Sequence, residues 1–93
     1  MSDPRRVHID VYGTPYYLTV DLSKWDCNRE PPHCHVCKGR DRVAQVWLSS
    51  CSYKEEPREI SHNQRQTVLN AVRENMYELK SAFNHNHDYG ADQ

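Results

Sequence analysis

The densest chemistry in this chain lies in Pro31-Pro32-His33-Cys34-His35-Val36-Cys37, with two histidines and two cysteines in five residues. Cys34 and Cys37 form a Cys-x-x-Cys with Gly39 close behind, a spacing that lets a tight turn aim two thiolates at one tetrahedral zinc ion. A second Cys-x-x-Cys is absent, so Cys27, Cys51, His33 or the pair His85 and His87 would have to complete the site. A four-thiolate set of Cys27, Cys34, Cys37 and Cys51 is chemically sound but irregular in spacing.

The same stretch also alternates as a strand does, and the two readings exclude each other. In an extended chain His33, His35 and Cys37 share one face while Cys34 and Val36 point to the other, so Cys34 and Cys37 cannot hold one ion. A metal would then need His33, His35 and Cys37, with His85 and His87 brought in by the chain end. Cys34 or Cys37 beside a histidine also supplies a thiol and a base, though no third residue is marked to orient them. His33 and His35, assisted by Arg40, Arg42 or Tyr17, could act as acid and base in RNA cleavage. The plain alternative is that both histidines brace a turn through hydrogen bonds and the cysteines are small buried residues.

Positioning these residues falls to a short series of strands. Val7, Ile9 and Val11 alternate with His8, Asp10 and Tyr12, Gly13-Thr14-Pro15 supplies a turn, and Tyr16, Leu18, Val20 and Leu22 alternate back, which predicts an antiparallel hairpin. Trp25 to Glu30 is polar and reads as a loop, and the two prolines after it favour an extended approach to His33. Gly39-Arg40-Asp41 suits a tight reversal. Val43 to Leu48 then reads as a fourth strand, with Ala44, Val46 and Leu48 on one face and Val43, Gln45 and Trp47 on the other.

Ser49 to Glu59 shows no periodicity and reads as a connection carrying Cys51 and Tyr53. Ser61 has the character of an N-cap, with Gln64 three residues on as in a capping box and Ile60 before it. Val68, Leu69, Val72, Met76, Leu79 and Phe83 form one stripe at helical spacing, so a single helix should run to about Asn84, roughly 35 Å at about 1.5 Å per residue, and pack this stripe on the sheet.

Ninety-three residues form one domain, 1–93, and residues 1–5 and 86–93 read as flexible tails. A formal charge of -1 gives no general basic excess for tracking a phosphate backbone. There is no apolar run of membrane-spanning length and no secretory signal, so the expected setting is the cytoplasm, where thiols stay reduced. Tyr12, Tyr16, Tyr17, Trp25, Trp47 and Tyr53 are many aromatics for this length; most should close a thin core, and any left on an open sheet face could stack bases or fill a partner's pocket.

At these residues the chain resembles a family of small bacterial and phage-associated domains known as domain of unknown function 4160. The likeness runs through Pro31-Pro32-His33-Cys34-His35-Val36, the glycine turn and Ala44-Gln45-Val46-Trp47-Leu48. It continues into Val72-Arg73-Glu74-Asn75 and Leu79-Lys80-Ser81-Ala82-Phe83-Asn84, covering Pro31 to Asn84. The resemblance implies a small α+β domain and the strand reading of residues 33 to 38, and it does not require cysteine at 34 or 37. Such domains are often encoded beside small antitoxin-like partners, which implies a role in toxin-antitoxin or phage-host conflict. It brings no catalytic residues, and the N-terminal hairpin and histidine-rich tail depart from its usual pattern.

The expected architecture is therefore α+β: a mainly antiparallel sheet of about four strands with one long C-terminal helix across it. The expected function is that of a non-enzymatic module binding a partner protein, with His33, His35, Arg40, Arg42, Tyr17 and Trp47 as the binding set and self-association also compatible. The rivals are an RNA-cleaving toxin using His33 and His35, and a binder of a nucleotide signal in which His33, His35, Arg40 and Arg42 grip phosphate and tyrosines stack the base. Zinc is the cofactor that the cysteines suggest.

Overall fold

The computed structural model describes residues 7–20 and 31–87, the side chains of 84–87 excepted. Five strands are followed by two helices: β1 (Ile9–Asp10), β2 (Tyr16–Thr19), β3 (His33–Lys38), β4 (Asp41–Trp47), β5 (Ser52–Tyr53), α1 (His62–Glu74) and α2 (Met76–His87). The strands pair antiparallel in the order β1-β2-β3-β4-β5, an α+β meander with β3 at its centre.

The predicted hairpin forms, but its strands are shorter than the alternation suggested. Val11 N–H donates to the Tyr16 carbonyl and Thr14 Oγ1 donates to the Val11 carbonyl, and Gly13 takes a left-handed φ of 82° between them. That conformation is cheap only without a Cβ. The expected continuation through Leu22, and the loop at Trp25, lie outside the described residues. Gly39, with φ 62°, closes the β3–β4 hairpin in the same way.

Register fixes two distinct sheet faces. On one, Leu18 lies opposite Val36 and Val36 opposite Ala44, while Cys34 lies opposite Val46 and Val46 opposite Tyr53. Leu18, Val20, Cys34, Val36, Val46 and Leu48 are buried here against Val68, Val72, Leu79, Ala82 and Phe83 of the helices. Burying each such side chain contributes about 1.5–3 kcal/mol, so this layer is the main source of stability. Between Val36 and Cys37 the register slips, because Val36 faces Ala44 whereas Cys37 faces Arg42, leaving Val43 as an extra residue in β4. Such a bulge sharpens the local twist.

Three expectations need correction. The connection from Ser49 to Glu59 contains a fifth strand: Tyr53 pairs with Val46, and its hydroxyl donates to the Arg65 carbonyl at 2.8 Å, which ties the sheet edge to α1. The single helix is two, broken at Asn75, whose backbone turns to φ -113° and ψ 22°. Asn75 donates to the Ala71 carbonyl from both its backbone N–H (3.1 Å) and its side-chain Nδ2 (2.8 Å), so the amide side chain competes for a helix acceptor and ends α1. The helical stripe nevertheless stays in phase across the break, and α2 runs on to His87, beyond the expected end at Asn84 and into the segment expected to be a tail.

The third correction concerns the capping box. Ser61 occupies the N-cap, but its side chain makes no capping bond; Gln64 N–H instead reaches the Ser61 carbonyl at 2.9 Å, and Arg65 Nε reaches the Ile60 carbonyl at 2.9 Å. Ile60 itself is buried, as the helix entry requires. The remaining parts of the two expected tails, residues 1–5 and 88–93, fall outside the described residues.

Candidate functional site

Apart from Cys34, the chemistry-bearing residues of β2, β3 and β4 share the sheet face opposite Leu18, Val36 and Val46, and Phe83 of α2 reaches the His33 end of it. Three cross-strand rows follow from the register. Tyr17 faces Cys37 and Cys37 faces Arg42; Thr19 faces His35 and His35 faces Gln45; His33 faces Trp47 and Trp47 faces Ser52. The second row is extended by Lys54, whose N–H donates to the Gln45 carbonyl at 2.9 Å. Lys54 Nζ also stands 5.7 Å from the Trp47 ring centre, a cation–π geometry.

His33 is built into the fold. Its Nδ1 lies 2.8 Å from the Pro31 carbonyl, which can only accept, so Nδ1 carries the proton of that bond. Its ring meets His35 edge-on at 5.3 Å between centroids, Trp47 at 6.0 Å and Phe83 at 5.4 Å. Only 1% of His33 is exposed and 6% of His35, and the Nε2 atoms of both are sealed from solvent. A phosphodiester cannot reach either Nε2 in this arrangement, so the geometry does not present the acid-base pair that the histidine spacing suggested. His35 does line a cleft of about 360 Å³, together with Arg42, Gln45, Lys54, Glu55 and Pro57, but its Nε2 is sealed from solvent.

The cysteines separate. β3 is extended, so Cys34 lies in the core and Cys37 on the opposite face, and a Cys34–Cys37 zinc knuckle does not form. Burial, with Cys51 and Cys37 adding to it, pushes the Cys34 thiol up to about 12, which keeps it protonated and unsuited as nucleophile or ligand near neutrality. Cys37 is also raised, chiefly by burial, against the lowering effects of a Tyr17 hydrogen bond and the Arg42 charge. Cys51 takes a left-handed φ of 52° and its thiol points to the Leu69 carbonyl at 3.4 Å. All three are free thiols, Cys27 lies outside the described residues, and the described residues contain no group of three or more His, Cys, Asp or Glu placed to hold a metal ion.

Tyr17, Arg40 and Arg42 do come together. They line a second cleft of about 480 Å³ with Val7, Val20 and His8. The Tyr17 hydroxyl donates to the Gly39 carbonyl at 2.7 Å, which fixes the ring over the β3–β4 turn. Arg42 borders both clefts, so they adjoin along one row of the sheet. Trp47 lies two rows away beside His33, apart from this cationic group.

Sequence reasoning missed His8. Its ring stacks on Tyr17 with 4.1 Å between centroids and 9° between planes, and its Nε2 lies 3.0 Å from Asp10 Oδ1. The available signal was hairpin register: once Asp10 is set opposite Tyr17, His8 falls on the same face one step along. Gln45 and Lys54 were also missed as site residues, Gln45 because it was read only as part of a strand face and Lys54 because the short strand it follows was not recognised.

The family model for the domain of unknown function DUF4160 matches residues 20–84 of the chain. No curated protein and no solved structure gives a match. The described helices include none long and apolar enough to cross a membrane.

Proposed function

Given that the chain belongs to the DUF4160 family of domains of unknown function, we propose that it is a non-enzymatic interaction module that docks a partner protein on the exposed Tyr17–Arg40–Arg42 side of its sheet. The observation that carries this reading is the contrast on that face. His33 and His35 are sealed into the fold, whereas Arg40 and Arg42 stand exposed beside Tyr17 and border open clefts. Arginine and tyrosine together favour protein contacts, since each offers a large contact area with a polar or charged end. The guanidinium pair selects a partner with carboxylates at matching positions.

The setting is the cytoplasm of a bacterium, in a toxin-antitoxin or phage-host conflict, where the module binds an antitoxin-like or host defence protein and regulates it. The resemblance in the β3 block and helices supports this setting. Co-purification of the protein with the products of neighbouring genes tests the reading. Wild type should retain a stoichiometric partner, and the double charge reversal Arg40→Glu/Arg42→Glu should release it without loss of fold. Turnover of RNA by the purified protein, abolished by His35→Ala with the fold intact, would overturn the reading in favour of the RNA-cleaving toxin.

A further inference from the structure

We propose that the cleft of about 480 Å³ between the His8–Tyr17 stack and the Arg40–Arg42 pair is a binding site for a nucleoside monophosphate. This goes beyond partner docking and does not depend on it. The volume lies within the range of about 300–1,000 Å³ over which small-molecule sites occur.

One end of the cleft suits a flat aromatic base. The two rings are parallel and in contact, each held from a second direction: His8 by Asp10 at 3.0 Å and Tyr17 by its hydroxyl bond to the Gly39 carbonyl at 2.7 Å. Rings fixed in this way lose little further freedom when a base stacks on them. The His8 side chain is 62% exposed, so the stack has an accessible outer layer. Val7 supplies apolar wall beside it.

The other end suits a phosphate. Arg40 lies in the β3–β4 turn and Arg42 at the start of β4, both line the cleft, and guanidinium groups recognise phosphate oxygens through paired N–H donors. Orientation follows from the charges. The Asp10 carboxylate beside His8 disfavours phosphate at the stacking end, so the base lies toward His8 and the phosphate toward the arginines. Two guanidinium groups match the charge of a single phosphate group.

Isothermal titration of the full chain with AMP, GMP, adenosine and inorganic phosphate tests the site. At least one of the two nucleotides should bind with a dissociation constant below about 1 mM, and adenosine and phosphate should each bind roughly tenfold or more weakly than it. Arg40→Ala/Arg42→Ala should weaken the nucleotide by roughly tenfold and leave adenosine unchanged. His8→Ala should weaken nucleotide and nucleoside alike, and His8→Phe, which keeps a ring, should restore both. All these positions are exposed, and a thermal melt of each variant confirms that it folds. The site is refuted if neither nucleotide binds below about 1 mM, if phosphate alone binds as tightly, or if the folded arginine variant binds unchanged.

Discussion

Replacing His33 by alanine separates a structural histidine from a catalytic one. The substitution removes the Nδ1 bond to the Pro31 carbonyl at 2.8 Å and edge contacts with His35, Trp47 and Phe83 from a site only 1% exposed. A net hydrogen bond contributes about 1 kcal/mol. Each aromatic contact adds about 0.5–1.5 kcal/mol beyond area, and truncating a buried aromatic residue costs about 3–5 kcal/mol in all. Imidazole is smaller than phenyl, so about 3 kcal/mol is expected for His33→Ala. In a domain of this size that lowers Tm by roughly 12–24 °C.

His33→Phe keeps a ring, loses the polar bond and adds the extra volume of phenyl to a closed site. Pro31 is exposed, so its carbonyl can regain water, and the expected cost, bond and overpacking together, is about 2 kcal/mol. Urea and thermal unfolding followed by circular dichroism should therefore rank wild type above His33→Phe and His33→Phe above His33→Ala. If His33→Ala unfolds within about 0.5 kcal/mol of wild type, the ring cluster is not a structural unit and the bracing role assigned to His33 is wrong.

Alkaline pH should weaken the fold. Burial raises Cys34 from 9.0 to about 12 and Tyr53 from 10.0 to about 12, so the unfolded chain loses these protons first and binds fewer of them. Stability is then complete below about pH 9 and falls as pH rises toward 12, and Cys34→Ala or Tyr53→Phe should flatten that fall in urea midpoints measured between these limits. With Cys34 and Cys37 on opposite faces, dialysis of untagged protein against a strong zinc chelator should leave Tm unchanged; stoichiometric zinc release with a drop in Tm would restore a metal role. Gly39→Ala meets no atom within 4 Å but must hold φ 62°, so it should cost about 1 kcal/mol, and Gly39→Asn should cost less, as read from denaturation midpoints.

Local pattern made part of this molecule legible in advance. The two-residue period from His33 to Lys38, together with the glycine turn and the family resemblance, favoured a strand that separates Cys34 from Cys37 over a metal knuckle, because that period is a property of the backbone itself. The stripe from Val68 to Phe83 identified the helical layer for the same kind of reason. What escaped depends on competition or distance. The break at Asn75 leaves the apolar period intact and arises from one amide contending for the Ala71 carbonyl. β5 is two residues long, and the Tyr53 bond to Arg65 that anchors it is visible only after folding.

The Pro-Pro-His-x-His-Val block shows why motif chemistry and motif structure are easily exchanged. Histidines beside cysteines suggest proton transfer or metal binding when only residue types are known. In the fold, Pro31 presents a carbonyl to His33 Nδ1, β-sheet alternation places His35 on the same face, and Phe83 arrives from far along the chain to close the ring cluster. Proline restricts the backbone that carries this acceptor, and imidazole offers a ring and an N–H donor in one compact side chain. Structural demands thus explain the residue types of the block. In the neighbouring row Tyr17 and Arg42 occupy the same sheet face and Arg40 joins them from the turn, which is where the proposed recognition is assigned.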